Sequence, residues 1–175
     1  MIRDRRIEKN DRAIRDAFLD LLFSQRFATI RMTDIAARAD VSRSTLYKHF
    51  ASRESLLLAT MEPLLGVIAD AASGSPDAAQ LDRLLDHFWD NRRLAKAVFG
   101  PPVDALVRRS LAAAIEQRLR ARGVPSTAAA MIATQVAAGQ IALLEAWMTG
   151  KLTAERAELA AAMTHYPAPC DEKPE

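Results

Sequence analysis

Apolar residues recur at three- and four-residue steps through most of the chain, the spacing that gathers them on one stripe of an α-helix. Residues 4–24 carry Ile14, Ala17, Phe18, Leu21 and Leu22 on such a stripe, with Arg12, Arg15, Asp16 and Asp20 on the other faces. A short helix is predicted over 32–39, with Met32, Ile35, Ala36 and Ala39 inward and Asp34 in its first turn, where a carboxylate meets unpaired backbone N–H groups. Asp40 then stands where the chain must reverse, and Asp is among the few non-glycine residues that tolerate left-handed backbone. Ser42 is placed to cap a third helix over 43–50. There Leu46 and Phe50 point inward and Arg43, Ser44, Tyr47 and Lys48 are left free of the core. Ile35 and Val41 are also assigned to the core.

Beyond residue 52 the pattern lengthens. A helix over 53–72 should bury Leu56, Leu57, Ala59, Thr60, Leu64 and Val67, and Pro63 within it should bend or interrupt it, because proline removes a backbone donor. Ser73 to Pro76 reads as a loop. Further helices are expected over 77–90, 92–99, 103–121, 126–149 and 153–165. The fold class is therefore all-α with about nine helices. Two short helices joined by a tight turn, the second presenting basic, hydroxyl and aromatic groups outward, describe a helix-turn-helix. The expected division is a DNA-binding domain over 1–52, a helical body over 53–167, and a mobile Pro-rich tail over 168–175.

Composition sharpens this picture. Half of the 175 residues are apolar and only 6% aromatic, enough for a packed helical core. The net charge of +2 conceals an asymmetry: residues 1–60 hold twelve Lys and Arg against eight Asp and Glu, while 61–175 hold twelve against fourteen. Basic character thus gathers beside the helix-turn-helix, where it can meet phosphates. No uninterrupted apolar run has the length of a membrane span, and the charged start does not resemble a secretory signal, so a cytoplasmic protein without a membrane partner is expected. Cys170 has no second cysteine for a disulfide or metal site, and neither cofactor nor metal is expected. Enzyme readings lack a Gly-rich phosphate loop, an H-E-x-x-H pair or a nucleophile elbow, and only His49, His87 and His165 are present as histidine bases.

The stretch from Ile35 to Phe50, IAARADVSRSTLYKHF, followed by Ala51-Ser52-Arg53-Glu54-Ser55-Leu56-Leu57, resembles the signature of TetR-type regulators. The resemblance is strong over residues 10–60; the remainder is similar in helix count, length and a tryptophan-bearing penultimate helix. It implies a three-helix DNA-binding head, a connecting helix, and a body whose last two long helices form a four-helix bundle with a second subunit. The function it implies is a repressor that binds a palindromic operator as a homodimer and releases it when a small molecule enters the body. A TetR-like regulator or architectural DNA-binding protein without an effector stays open beside it. Asp40 departs from the family's turn glycine, and Arg31 stands where a capping, phosphate-holding threonine is usual. Thr33 or Arg31 itself is then expected to take that phosphate contact.

On this reading the 43–50 helix enters the major groove, which alone distinguishes all four base pairs. Arg43 and Ser44 are expected to read bases, with Thr45 and Lys48 in support and Ser42 at the helix start. Tyr47 and His49 resemble positions that touch the phosphate backbone, setting register without reading sequence. A half-buried packing role for Tyr47 and a structural one for His49 stay open. Arg53 is expected on a phosphate, because the dipole of its own helix start does not favour a cation. Residues 126–149 are apolar nearly all round, so Ile132, Val136, Gly139, Leu143 and Trp147, with Leu159 and Met163 of the last helix, are assigned to a dimer interface. His87, Phe88, Trp89, Phe99, Leu111, Ile115 and Met131 are candidates for an effector pocket, with ordinary core packing as the alternative.

Overall fold

The computed structural model describes residues 2–94, 98–99 and 103–164, with backbone alone at 2–6 and 94. Every regular element among them is helical: α1 (Ile2–Ser24), α2 (Met32–Arg38), α3 (Arg43–His49), α4 (Arg53–Ala72), α5 (Ala78–Asp90), α6 (Asp104–Ala121), α7 (Ser126–Met148) and α8 (Arg156–Thr164). Short 3-10 turns lie at Phe27–Thr29 and Arg92–Leu94. The fold is all-α, with eight α-helices among the described residues against the nine expected. The helix expected over 92–99 is represented by the turn Arg92–Leu94 and helical residues 98–99. Residues 95–97, His165, Cys170 and the tail over 168–175 lie outside the described residues.

The chain divides into two compact units, Met1–Pro63 with Asn91–Val107, and Leu64–Asp90 with Arg108–Glu175. In the first unit Ile14, Phe18, Ile35, Leu46 and Leu56 are wholly buried. Phe18 meets the edge of Phe27 at 6.3 Å between ring centroids, a favoured aromatic geometry. The turn between α2 and α3 follows from backbone hydrogen bonding. The Val41 N–H bonds the Ala36 carbonyl at 3.1 Å and the Asp40 N–H the Ala37 carbonyl at 3.3 Å, while Asp40 takes φ 53°. This is the Schellman ending, with its left-handed position filled by Asp. Val41 lies on the turn and is only partly covered, so the core stripe passes from Ile35 to Leu46 without the contribution expected of it.

α4 runs unbroken through Pro63. Its inward stripe continues from Leu57 through Met61, Leu65, Ile68, Ala69 and Ala72, leaving Leu64 and Val67 only partly covered. The predicted interruption does not occur, and the 3.6-residue period therefore carries on in phase from Leu57.

In the second unit α4 and α6 end at Gly74 and Gly123, with φ 77° and 87°. Both helix ends repeat the hydrogen bonding of the Asp40 turn, from Ser75 to Asp70 and from Val124 to Leu119. Arg118 of α6 ties to α4 through the Asp70 carboxylate at 2.6 Å and the Gly66 carbonyl at 3.2 Å. α7 buries one apolar side and exposes another on which small apolar residues stand with Thr134 and Gln135. Ala129, Ala133, Ala137, Ile141, Leu144 and Trp147 are buried, whereas Met131, Ala138, Gly139 and Ala142 are exposed. By length and composition α4 and α7 would each suffice to cross a membrane, a description that core helices of a helical bundle also meet.

A side chain with branching at Cβ is strained at positive φ. Asp40→Val is therefore expected to lower unfolding free energy by about 1–2 kcal/mol, whereas Asp40→Gly should change it by less than about 1 kcal/mol. Urea denaturation of the two variants checks this; equal stabilities would show that the left-handed turn does not constrain the head.

Candidate nucleic-acid interface

The outward face of α3 is assembled by its two ends. Ser42 takes extended backbone, and its Oγ accepts the Thr45 N–H at 3.1 Å, the capping bond that starts a helix. The same oxygen lies 3.0 Å from Ser44 Oγ and 2.8 Å from Thr45 Oγ1, so the three hydroxyls at the start of α3 are mutually engaged. At the other end Leu46 and Phe50 are buried. Arg43, Ser44, Tyr47 and Lys48 are thereby turned outward on one side of the helix, all exposed, with Tyr47 54% exposed. Tyr47 is not a packing residue. Thr45 and His49 are each only partly exposed.

Arg31 and Thr33 are exposed at the start of α2, on the element preceding the turn. Asp34 Oδ2 accepts the Arg31 backbone N–H at 3.2 Å, as the first-turn carboxylate of the sequence suggests. The Arg31 side chain has no acceptor and cannot replace a capping hydroxyl; it remains outward. Among the described residues Arg31, Arg43 and Lys48 take part in no ion pair, while Arg38 is held by Asp20 at 2.8 Å.

Arg53, expected on a phosphate, makes contacts within its own chain. Its Nη1 donates to the carbonyls of Phe27 at 3.1 Å, Ala28 at 2.8 Å and Ile30 at 3.0 Å. Its Nε donates to Glu54 at 2.9 Å, and the guanidinium lies 4.9 Å from the Phe27 ring centroid. It thus collects the carbonyls of the α1–α2 connection, which a helix would have satisfied internally. Burial pushes the Glu54 carboxyl up, but the hydrogen bond from Arg53, those from its own N–H and Ser52, and the Arg53 charge outweigh it, holding the group below its ordinary 4.5. Arg15, which the sequence placed merely on an outer face of α1, donates to the Ala59 carbonyl and pairs with Asp11.

The effector and dimer candidates are dispersed. Phe88, Phe99, Leu111 and Ile115 are buried, Trp89 and Met131 are 43% and 61% exposed, and His87 is exposed. None of the seven lines the cleft of about 600 Å³ in the second unit, which is bounded by Leu119, Arg122, Val124, Pro125, Ala128 and Ile132 among others. Trp147 is buried within its own chain, donating to the Ala154 carbonyl at 3.0 Å and stacking 4.9 Å from Trp89. Leu159 and Met163 are also covered, and the Met163 carbonyl accepts from Gln140 at 2.9 Å. Ile132, Val136 and Leu143 are partly covered, and Gly139 is exposed with open space where a Cβ would stand.

A capped, seven-residue helix held outward across a tight turn defines the class: an all-α helix-turn-helix protein. Residues 14–60 match the family described as bacterial regulatory proteins, tetR family. The chain is 35% identical over 68 residues to the uncharacterized HTH-type transcriptional regulator YxbF of Bacillus subtilis strain 168, and 36% identical over 72 residues to the HTH-type transcriptional regulator BetI of Rhizobium meliloti strain 1021. These stretches cover 38% and 41% of this chain and only 18% and 36% of those relatives. A TetR transcriptional regulator from Streptococcus agalactiae 2603V shares the fold over 94% of this chain and 96% of its own, at 24% identity and TM-score 0.60. The likeness to the TetR family of transcriptional regulators thus lies in residues 14–60, and the solved structure shares the fold.

Arg53→Met keeps the apolar stem and removes every donor, so it should cost the head about 2 kcal/mol of stability. Denaturation followed by circular dichroism measures it, and an unchanged midpoint would deny the clamp. Because the Glu54 carboxyl titrates lower folded than unfolded, its contribution is complete above pH about 4.5 and is lost as pH falls through the folded value. Glu54→Gln should accordingly flatten the acid limb of the stability profile below about pH 4.5.

Proposed function

We propose that this protein is a repressor that binds a palindromic operator as a homodimer and is released by a small-molecule effector. The observation that carries the DNA-binding part is the outward row Arg43, Ser44, Tyr47 and Lys48 on a helix fixed at both ends. An α-helix fits the major groove, where an arginine can bind guanine through two hydrogen bonds. Arg43 and Ser44 read bases, with Thr45 and Ser42 beside them; Tyr47, Lys48, Arg31 and Thr33 contact phosphates, and His49 supports the end of the helix. Residues 1–52 serve DNA, and 53–167 dimerisation and the effector. The protein works in the cytoplasm, on the nucleoid when bound.

The dimer reading draws on α7. Its exposed side carries Ala138, Gly139 and Ala142, small enough for a second helix to approach closely, with Met131, Thr134 and Gln135 one to two turns earlier and Ile132, Val136 and Leu143 at the margin. A two-fold dimer would carry two copies of α3, one for each half-site of a palindrome. The effector reading draws on the cleft of about 600 Å³, within the size range of small-molecule sites. Regulation without an effector draws on the close burial of Phe88, Leu111 and Ile115, which act as core.

Selection of bound fragments from random duplex DNA, followed by affinity measurement, tests the whole reading. Absence of affinity for any duplex at low ionic strength, or a single subunit at every concentration, would end it. Arg43→Ala should relax the preference at one base pair per half-site by about 1–3 kcal/mol, and Lys48→Ala should weaken all sequences alike while reducing the salt slope by about 1 per contact. Gly139→Glu, at an open position, should leave the fold intact and abolish both dimer and operator binding. Sedimentation of that variant decides it.

A further inference from the structure

Proline inside a helix leaves the carbonyl four residues earlier without its donor. In α4 that carbonyl belongs to Ala59, and Arg15 Nη1 donates to it from α1. The same guanidinium donates through Nε to Asp11 Oδ2 at 2.7 Å and lies 5.4 Å from the Phe50 ring centroid. Asp11 is shared, because its other oxygen stands 3.9 Å from His49 Nδ1. His49 is the last residue of α3 and Phe50 its C-cap. One side chain thus meets the α4 carbonyl opened by Pro63 and, directly or through Asp11, both residues that close the helix carrying Arg43 and Ser44.

The chemistry selects arginine for this place. A planar fork of donors reaches a carbonyl, a carboxylate and an aromatic face in different directions at once, which neither lysine nor an apolar stem can do. The far end of α3 is already fixed by the Ser42 cap and the Asp40 turn. Fixing the near end therefore sets the tilt of the helix, and two-bond contacts to a base edge depend on angle as well as distance.

We propose that Arg15 is a positioning residue for base reading: joining the Ala59 carbonyl to Asp11, His49 and Phe50, it fixes the tilt at which α3 presents Arg43 and Ser44. This rests on the DNA-binding function proposed above. The test compares affinity for a selected operator with affinity for a scrambled duplex of equal length, using full-length wild type, Arg15→Met, Arg15→Lys, Pro63→Ala and the Arg15→Met/Pro63→Ala double variant. Arg15→Met should lose about tenfold on the operator and about twofold or less on the scrambled duplex, where phosphate contacts dominate. Arg15→Lys should recover part of the loss. Pro63→Ala returns a backbone N–H to the Ala59 carbonyl, so the loss in the double variant should be smaller than the product of the single losses. Equal losses on both duplexes, or independent effects of the two sites, overturn the proposal. Asp11→Asn, nearly isosteric and of unchanged helix content by circular dichroism, should lose operator preference in the same direction; an unchanged preference also overturns it. A wild type that binds neither duplex removes the DNA-binding reading itself, an outcome visible before any variant is made.

Discussion

A seven-residue helix has too few hydrogen bonds to outweigh the entropy of ordering it, and α2 and α3 are both that short. Each exists because the other does. The left-handed residue Asp40 reverses the chain between them, its flanking N–H groups closing on Ala36 and Ala37, and the reversal drives Ile35 and Leu46 into a common core against Ile14 and Phe18. Once those apolar faces are committed inward, the remaining faces have only one direction left. The row Arg43, Ser44, Tyr47 and Lys48 is exposed as a consequence of what Leu46 and Phe50 bury.

The cations of the head fall into two groups by what surrounds them. Arg53 gathers the carbonyls of the α1–α2 connection, Arg15 the carbonyl beside Pro63, and Arg38 a carboxylate of α1. Those three hold elements together. Arg31, Arg43 and Lys48 are exposed and bear on no carboxylate among the described residues. A modest excess of positive charge thereby becomes a directed one, since charge already neutralised in the fold attracts phosphate weakly while charge left outward attracts it fully. The same separation explains why loss of Arg53 concerns stability first, although its charge suggests DNA.

α7 shows a comparable division in apolar surface. Its Trp147 is satisfied at home, by the Ala154 carbonyl and the Trp89 ring, and Ala129, Ala133, Ala137 and Leu144 belong to the same buried side. The opposite side keeps small residues and an unhindered Gly139 exposed. Apolar area left uncovered on a long helix costs free energy in water, and small residues permit the close helix approach that would cover it. A dimer formed on that side does not compete with the protomer's own core.

The bounds of α2, α3 and α4, the Ser42 cap, the Asp40 reversal, the Asp34 carboxylate and the outward row of α3 were legible in the chain itself, because each depends on residues within about one helical turn of one another. Tertiary structure alone decided the rest. Arg53 meets carbonyls 23 to 26 residues away and Arg15 one 44 residues away, and no local pattern marks a backbone carbonyl as needing a partner. The unbroken passage of α4 through Pro63 is of the same kind: proline removes a donor by local rule, but whether the helix yields depends on whether something distant takes up the carbonyl. Trp147, Leu159 and Met163 are buried within the protomer, a fact that periodicity cannot give, since it records that a side chain is apolar without recording which neighbour covers it. Local bonding is written in adjacent residues; the satisfaction of polar groups and the choice of apolar partner arise only when distant segments meet.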